Sequence, residues 1–197
     1  MNSILTTQST IAGSLWPQHT ANRWLRAVVL AVLGTALLWL SAKVKVDIGP
    51  VPVTLQTLVI LGLGAAYGWR LGAATLMLYL AEGAAGLPVF AGTPEKGIGL
   101  AYMAGPTGGY LLGFVLAAAV IGYFAERGFD RNPFKMFAAM LLATAVIYLP
   151  GLAWLATLIG GEKAIQFGLM PFIWGDLIKA AMAAAIFPAL WQFLKKN

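Results

Sequence analysis

The sequence contains no cysteine and a single histidine, His19. The missing thiols exclude disulfide bonds, thiolate nucleophiles and cysteine-based metal sites. One histidine, which lies outside the apolar segments, cannot form the histidine cluster that a metal site or a proton relay requires. We therefore expect neither a bound metal nor a cofactor in this chain.

Charged residues are also scarce: they make up 10% of the 197 residues, whereas hydrophobic residues make up 60%. A soluble domain usually carries about 25% charged residues. This composition predicts one integral membrane domain in contact with the lipid bilayer. The net charge of +6 comes from basic residues scattered at helix ends. Such a pattern orients membrane helices and does not indicate nucleic-acid binding.

The motifs of nucleotide-binding proteins and hydrolases are missing as well. No G-x-x-x-x-G-K-[ST] sequence occurs, so the chain has no P-loop with which to hydrolyse ATP. H-E-x-x-H and G-x-S-x-G are absent too. The ionisable residues of the apolar segments have no nucleophile arranged beside them. We expect no enzymatic activity.

Long apolar runs organise the rest of the chain, since a membrane span needs about 20 apolar residues. Six runs fit this length, although the second and third are short. Five spans is the alternative count if these two form a re-entrant hairpin. The predicted spans are residues 24–42, 53–67, 71–85, 108–125, 134–158 and 172–194. We predict an all-α bundle of six transmembrane helices.

The distribution of lysine and arginine predicts how the bundle is oriented. Eight basic residues collect on the side of the two termini, and four collect on the opposite side. Because cytoplasmic loops carry an excess of basic residues, both termini are predicted to be cytoplasmic. The eight are Arg23, Arg26, Arg70, Arg127, Arg131, Lys135, Lys195 and Lys196, and the four are Lys43, Lys45, Lys96 and Lys163.

Two opposite charges, Asp176 and Lys179, stand three residues apart at the start of the last apolar run. That spacing places both side chains on one helix face. In hydrocarbon such charges are costly unless they are paired or face a polar cavity, and they usually mark a ligand or ion pathway. The alternative is a helix-end pair that reaches the headgroups and fixes a packing register. We favour a ligand site near the external side.

A second polar pair, Tyr79 and Glu82, lies near the external end of the third predicted span with the same spacing. The two least regular connections, residues 43–52 and 86–106, lie on that side as well. The latter is long, rich in glycine and proline, and partly apolar, which is typical of a binding loop. We predict that these external loops, the first and third of the chain, cap a pocket.

Small residues recur at four-residue spacing on several spans, and this spacing allows close helix contacts in lipid. Most such pairs are expected to pack within the bundle. Ala27 and Ala31 on the first span are the best candidates for contact with another protein, because terminal helices are often peripheral.

The chain contains four ordered motifs: Val51-Pro-Val-Thr-Leu-Gln-Thr, Gly86-Leu-Pro-Val-Phe-Ala-Gly, Gly105-Pro-Thr-Gly-Gly-Tyr and Gly175-Asp-Leu-Ile-Lys. Together these motifs resemble the BioY family, the biotin-specific substrate-capture (S) components of energy-coupling factor (ECF) transporters. The resemblance runs from about residue 25 to residue 190. The resemblance implies a six-helix bundle with cytoplasmic termini and an external vitamin pocket in the cell membrane.

The resemblance also implies partners: a transmembrane coupling subunit, which would dock on Ala27 and Ala31, and two ATPase subunits, which alone would use ATP. Biotin would be the transported ligand, and no cofactor is implied. In one pose Asp176 accepts the ureido N–H groups and Lys179 donates to the ureido oxygen; in the other Lys179 binds the valerate carboxylate. The full set of expected binding residues is Asp176, Lys179, Gln56, Tyr79, Glu82, Phe90 and Tyr102.

Residues 1–23 lack the basic start, apolar core and cleavage site of a signal peptide. We predict that they form an N-terminal cytoplasmic segment, followed by a six-helix, substrate-binding membrane domain at residues 24–197. Two alternatives stay open: an S component for a different small vitamin, and a structural or assembly protein of the membrane without a transport role.

Overall fold

Nine α-helices and one short β-ribbon make up the part of the chain that the computed structural model describes, residues 10–16, 22–47 and 49–196. A 3-10 turn, Phe129–Arg131, joins two of the long helices. The elements are α1 (Ile11–Leu15), α2 (Arg23–Lys43), β1 (Lys45–Val46), β2 (Val53–Thr54), α3 (Gln56–Tyr67), α4 (Trp69–Ala84), α5 (Gly99–Met103), α6 (Gly108–Glu126), α7 (Pro133–Ile159), α8 (Gly161–Gly168) and α9 (Ile173–Lys196).

Each of the six predicted apolar runs forms a helix, namely α2, α3, α4, α6, α7 and α9. Within the described residues, α2, α6, α7 and α9 are long and apolar enough to cross a membrane. The other two are shorter: α3 has 12 residues and α4 has 16. At 1.5 Å per residue they extend about 18 Å and about 24 Å, less than the roughly 30 Å of a hydrocarbon core.

The prediction of a purely helical chain missed the ribbon. Strands β1 and β2 pair antiparallel, with Lys45 opposite Thr54 and Val46 opposite Val53. Because Val53 and Thr54 are extended, α3 begins at Gln56, three residues after the predicted start of its span. Helices α1, α5 and α8 lie in segments for which we predicted no helix. Each has eight residues or fewer, which is too short for the membrane spans that the prediction sought.

Helix α6 lies at the centre of the bundle and packs against α3, α4 and α7. Glycines allow these helices to approach closely, as expected in a membrane protein. A Cβ added at Gly113 of α6 would lie 2.7 Å from the carbonyl oxygen of Ile147 on α7. A Cβ at Gly64 of α3 would lie 2.6 Å from the carbonyl oxygen of Ala118 on α6. The small residues therefore pack inside the chain at these two crossings.

At one end of the bundle, cations lie over aromatic rings, and we call it the basic end. Helices α2, α4 and α7 start there, and helices α3, α6 and α9 finish there. Trp69 at the start of α4 donates its backbone N–H to Glu126 at the end of α6, so these termini meet. The pairs are Arg23 over Trp24, Arg70 over Trp69, Arg127 over Tyr123, Arg131 over Trp191 and Lys135 over Phe129. Cations and aromatic rings of this kind favour the membrane interface.

Short helix α1 packs against the bundle at the basic end. Ile11 is buried in the main hydrophobic core, and the buried Arg26 of α2 donates a 2.8 Å hydrogen bond to the carbonyl oxygen of Ala12. Of the predicted N-terminal segment, residues 1–9 and 17–21, which include His19, lie outside the described residues.

Candidate functional site

A cavity opens at the end of the bundle opposite the basic end. It contains about 570 Å³ of space free of protein atoms, counting its open mouth. Its walls come from the β2–α3 region, the connection between α4 and α6, and the facing parts of α6, α7 and α9. The lining residues are Val51, Pro52, Thr54, Gln56, Thr57, Phe90, Ala91, Tyr102, Thr107, Tyr110, Leu111, Phe114, Ile147, Tyr148, Phe172 and Asp176.

Asp176 lies in the first turn of α9 and lines this cavity with only 6% of its surface exposed. One carboxylate oxygen, Oδ1, lies 2.9 Å from Nζ of Lys179. The other, Oδ2, accepts a hydrogen bond from the hydroxyl of Tyr148 on α7. The buried carboxylate is thus paired on both sides, which such a charge requires away from water.

Lys179 lies beside the cavity rather than on its surface. Its ammonium group donates to Asp176 and, at 2.8 Å, to the backbone carbonyl oxygen of Thr54. Because Asp176 and Thr54 both line the cavity, the cation is linked to the wall at two points. An ammonium group has three donors, so one N–H remains beyond these two bonds. The pair is therefore held in the interior of the bundle and does not reach out to headgroups.

Gln56 and Tyr79 are brought together, but only Gln56 is on the cavity surface. Its side-chain N–H donates a 2.8 Å hydrogen bond to the hydroxyl of Tyr79. That hydroxyl in turn donates at 2.7 Å to the carbonyl oxygen of Val89. Tyr79 is fully buried and supports the wall from behind. These two bonds link the Gln56 amide through Tyr79 to the backbone and so orient its N–H group.

Phe90 and Tyr102 form an aromatic wall on one side of the cavity. Their rings stack with centroids 5.1 Å apart and an angle of 18° between planes. Tyr79 meets Phe90 edge to face at 5.5 Å. The Tyr102 hydroxyl also accepts a 3.2 Å hydrogen bond from the backbone N–H of Gly92. Stacked rings present a flat apolar surface that suits a compact apolar ligand ring.

The structure does not bring Glu82 to the cavity. Among the described residues that line it, neither Glu82 nor Tyr79 is present, and Glu82 is only half-buried on α4. One turn away on the same helix, Tyr79 points to Gln56 while Gly83 packs against the ring of Phe90. Of the second polar pair, Tyr79 and Glu82, only Tyr79 therefore supports the site, through its contacts with Gln56 and with Phe90 of the cavity wall.

Ala27 and Ala31 lie far from this cavity, near the start of α2, and both are half-exposed. The next small residues of the stripe, Gly34 and Thr35, are buried within the bundle. Neighbouring Val28 and Val32 are exposed. The two alanines thus lie at the edge between the packed and the outward side of the helix.

Two tyrosines of the site were missed by sequence reasoning. Tyr148 lines the cavity and bonds to Asp176, and Tyr110 lines it and donates a 2.9 Å hydrogen bond to the carbonyl oxygen of Gly168 on α8. A signal existed for Tyr110, because it ends one of the four quoted motifs. Tyr148 gave none, since a tyrosine in a long apolar helix is common as packing.

Within the residues that the structure describes, no group of three histidine, aspartate or glutamate side chains could hold an ion. What the cavity offers is a buried, ion-paired carboxylate at one end, neutral hydroxyl and amide groups, and an aromatic wall. Such a combination binds a small polar molecule with an apolar ring.

The fold defines a multi-pass membrane protein with an open-mouthed cavity between its helices. Residues 9–196 match the BioY family. The chain is 40% identical over 161 residues to the probable biotin transporter BioY of Pyrococcus horikoshii, with 82% of this chain and 93% of the relative covered. It is 39% identical over 164 residues to the biotin transporter BioY of Thermotoga maritima, covering 82% and 94%.

A solved structure shares the fold: the crystal structure of the S-component for biotin from an ECF-type ABC transporter. Its TM-score is 0.75 with 26% sequence identity, and the likeness covers 87% of this chain and 93% of that one. The chain belongs to the BioY family, as its four motifs indicated, and it is a multi-pass protein of the cell membrane.

Proposed function

We propose that this chain captures biotin and passes it across the membrane as the S component of an ECF transporter, and that it has no enzymatic activity. The observation that carries the proposal is the Asp176–Lys179 pair, whose carboxylate lines the cavity and whose ammonium group lies just behind its wall. Relatives named as biotin transporters, covering most of the chain, supply the identity of the ligand.

The chemistry of biotin suits the polar end of the cavity. Its ureido group has two N–H donors and one carbonyl oxygen, and the Asp176 carboxylate is an acceptor with several lone pairs. Hydrogen bonds to an ionised group are roughly twice as strong as neutral ones. We propose that Asp176 accepts a ureido N–H, and that the remaining N–H of Lys179 reaches the ureido oxygen.

In this scheme Lys179 acts largely by holding the Asp176 carboxylate in place. Two of its donors already hold the Asp176 carboxylate and the Thr54 carbonyl oxygen. The alternative pose, with Lys179 on the valerate carboxylate, rests on a cation behind the cavity surface and makes no use of Asp176, whereas the first pose also uses the Asp176 carboxylate, which lines the cavity. The geometry favours the first pose.

The apolar parts of biotin suit the rest of the cavity. We propose that the thioether ring packs on the aromatic wall of Phe90 and Tyr102, and that Gln56 adds a neutral polar contact. Tyr79 acts behind this wall through its hydrogen bonds to Gln56 and to the carbonyl oxygen of Val89. Glu82 would have no contact with a ligand in this cavity.

Biotin binding to the purified chain tests the proposal. Isothermal calorimetry should find saturable binding of biotin, and mass spectrometry of the extracted protein should find biotin as copurified ligand. A different vitamin in the extract would favour an S component of other specificity. No ligand and no binding of biotin would favour a membrane structural or assembly protein, and the proposal would be wrong.

The position of the aromatic wall should be sensitive to Gly83. A Cβ at that position would lie 2.7 Å from Cε1 of Phe90 and closer still to other ring atoms, so Gly83→Ala should displace the ring. Overpacking of this kind costs about 1–3 kcal/mol. We expect biotin affinity to fall about tenfold or more. In the control Gly161→Ala, where the added Cβ meets nothing within 4 Å, affinity should not change. Equal affinities for all three proteins would contradict the proposed wall.

For the architecture, we propose six transmembrane helices with both termini cytoplasmic, residues 1–23 as the cytoplasmic segment and residues 24–197 as the substrate-binding membrane domain. The five cation–aromatic pairs at the basic end support this orientation, because basic residues favour the cytoplasmic face. Since the chain has no cysteine, one cysteine introduced at Arg127 is a unique label. Its reaction with an impermeant thiol reagent in intact cells would contradict the orientation.

For the partners, we propose a transmembrane coupling subunit that docks at Ala27 and Ala31, together with two ATPase subunits that supply the energy. The half-exposed position of both alanines beside exposed valines leaves room for a partner helix. Ala31→Trp should abolish association with the coupling subunit in a pull-down while biotin binding is kept. Unchanged association would count against this docking site.

A further inference from the structure

Lys43, the last residue of α2, contacts the connection that carries Phe90 of the aromatic wall. Its Nζ lies 3.0 Å from the carbonyl oxygen of Phe90 and 3.0 Å from that of Thr93. It also lies 3.4 Å from the Thr93 hydroxyl oxygen. Three acceptors match the three donors of an ammonium group. No other described lysine makes three contacts to one turn of the backbone.

The turn that Lys43 holds is compact and buried. The Thr93 hydroxyl donates a 2.7 Å hydrogen bond to the Phe90 carbonyl oxygen, and the Thr93 backbone N–H donates to the same oxygen at 3.2 Å. Thr93 is 5% exposed and Phe90 is 1% exposed. The ammonium group therefore bridges the carbonyl oxygens of Phe90 and Thr93 from outside the turn, and hydrogen bonds from a charged group are the strong ones.

We infer that Lys43 is a positioning residue, which holds residues 88–94, here called the wall segment, across the cavity and thereby sets how long a ligand stays bound. Lys43 itself does not line the cavity, whereas Phe90 and Ala91 of the wall segment do. The wall segment leaves and rejoins the bundle through a connection of irregular backbone between α4 and α5. Lys43 adds a fixed point on α2 to the hydrogen bonds of Tyr79 with Val89 and of Tyr102 with Gly92, and its loss should lower the free energy needed to open this connection by local unfolding.

Neighbouring ion pairs join the same two connections, but they are of a different kind. Lys45 pairs with Asp47 at 3.0 Å and with Glu95 at 3.3 Å. The side chains of Asp47 and Glu95 are 44% and 73% exposed. Exposed ion pairs contribute little to stability because water screens them. Lys43 is also exposed, but its acceptors belong to the buried turn of Phe90 and Thr93. Lys45 thus provides a matched control: a lysine two residues away, with one partner, Glu95, on the same connection but outside the wall segment.

The test measures the rate at which biotin leaves the full-length protein, and it rests on the proposed function because it uses biotin as the probe. Labelled biotin is bound and chased with excess unlabelled biotin. Lys43→Met should raise the dissociation rate about tenfold or more, as expected for the loss of charge-assisted hydrogen bonds. The association rate should change little. Lys43→Arg, which keeps the charge and the donors, should restore most of the slow release.

A second measurement needs no ligand and separates this inference from the proposed function. Hydrogen exchange of the wall segment should be faster in Lys43→Met than in the parent, with the rest of the bundle unchanged. Lys45→Met should match the parent in both measurements. If Lys43→Met does not purify in folded form, Lys43→Gln removes the charge more conservatively.

The outcomes are distinct. A parent protein that binds no biotin contradicts the proposed function. In that case the hydrogen-exchange measurement alone tests the role of Lys43. A parent that binds biotin, with equal release and exchange in Lys43→Met, overturns the role of Lys43. Equal effects of Lys43→Met and Lys45→Met would also overturn the role of Lys43, since the loss of one positive charge at this surface would then explain the effects of both variants.

Discussion

Asp176→Asn is expected to weaken biotin binding by about 10²–10³-fold, the largest effect on function that we predict. The neutral amide cannot supply the charge-assisted bonds proposed for the ureido group. It also leaves the mostly buried ammonium group of Lys179 without its ion partner, and breaking a buried pair costs about 3–5 kcal/mol. Calorimetric titration of the purified variant measures the loss.

Lys179→Met should give a loss of similar size by the reverse route. Asp176 would keep its hydrogen bond from Tyr148 but lose its cation, and removing one partner of a buried ion pair leaves the other charge uncompensated. The matched control is Lys163→Met on α8, which makes the same chemical change at an exposed position. It should bind biotin like the parent.

Stability has to be separated from binding in these variants. The double variant Asp176→Asn/Lys179→Met carries no unpaired charge, so its melting temperature should recover toward that of the parent. Its biotin affinity should stay low. If the melting temperature and the biotin affinity both recovered, the Asp176–Lys179 pair would serve only the packing of α9. That is the alternative from the sequence analysis, in which the pair fixes a packing register.

Gly64→Ala is expected to cause the largest loss of stability among single-methyl changes in α3. The added Cβ would lie 2.5 Å from Cγ2 of Ile121 and 2.6 Å from the carbonyl oxygen of Ala118, so α3 and α6 would have to move apart. Overpacking costs about 1–3 kcal/mol, more than the roughly 1 kcal/mol that alanine gains over glycine in a helix. Thermal unfolding in detergent should show a lower midpoint.

Gly62 gives a close control for this prediction. It lies on the same helix, and a Cβ there would meet no atom within 4 Å. Gly62→Ala gains the same helix propensity without overpacking, so its unfolding midpoint should equal or exceed that of the parent. If both variants unfolded at the same temperature, close packing of α3 on α6 would not contribute to stability as described.

The positions of the long helices followed from the sequence because hydrocarbon accepts only long apolar helical runs. All six runs became helices with ends displaced by three residues or fewer. The β1–β2 ribbon could not be predicted in this way. Each strand has two residues, which is too short to show a periodic pattern. The two strands come together only because a loop brings Lys45 opposite Thr54.

The candidate site was predictable where a charge interrupted an apolar run. That rule located Asp176 and Lys179, which lie on or beside the cavity. The same rule selected Glu82, which lies outside it, because the rule detects a charge in an apolar segment and not the direction in which the side chain points. Tyr148 escaped the rule because it carries no charge, and only the packing of α7 on α9 brings it to Asp176.

A structure of the chain with bound biotin is the most direct test of the central claim. We expect the ureido group in the cavity, within hydrogen-bond distance of the Asp176 carboxylate, with the thioether ring on the Phe90–Tyr102 wall. Biotin bound elsewhere, or bound in this cavity without contact to Asp176, would contradict the account.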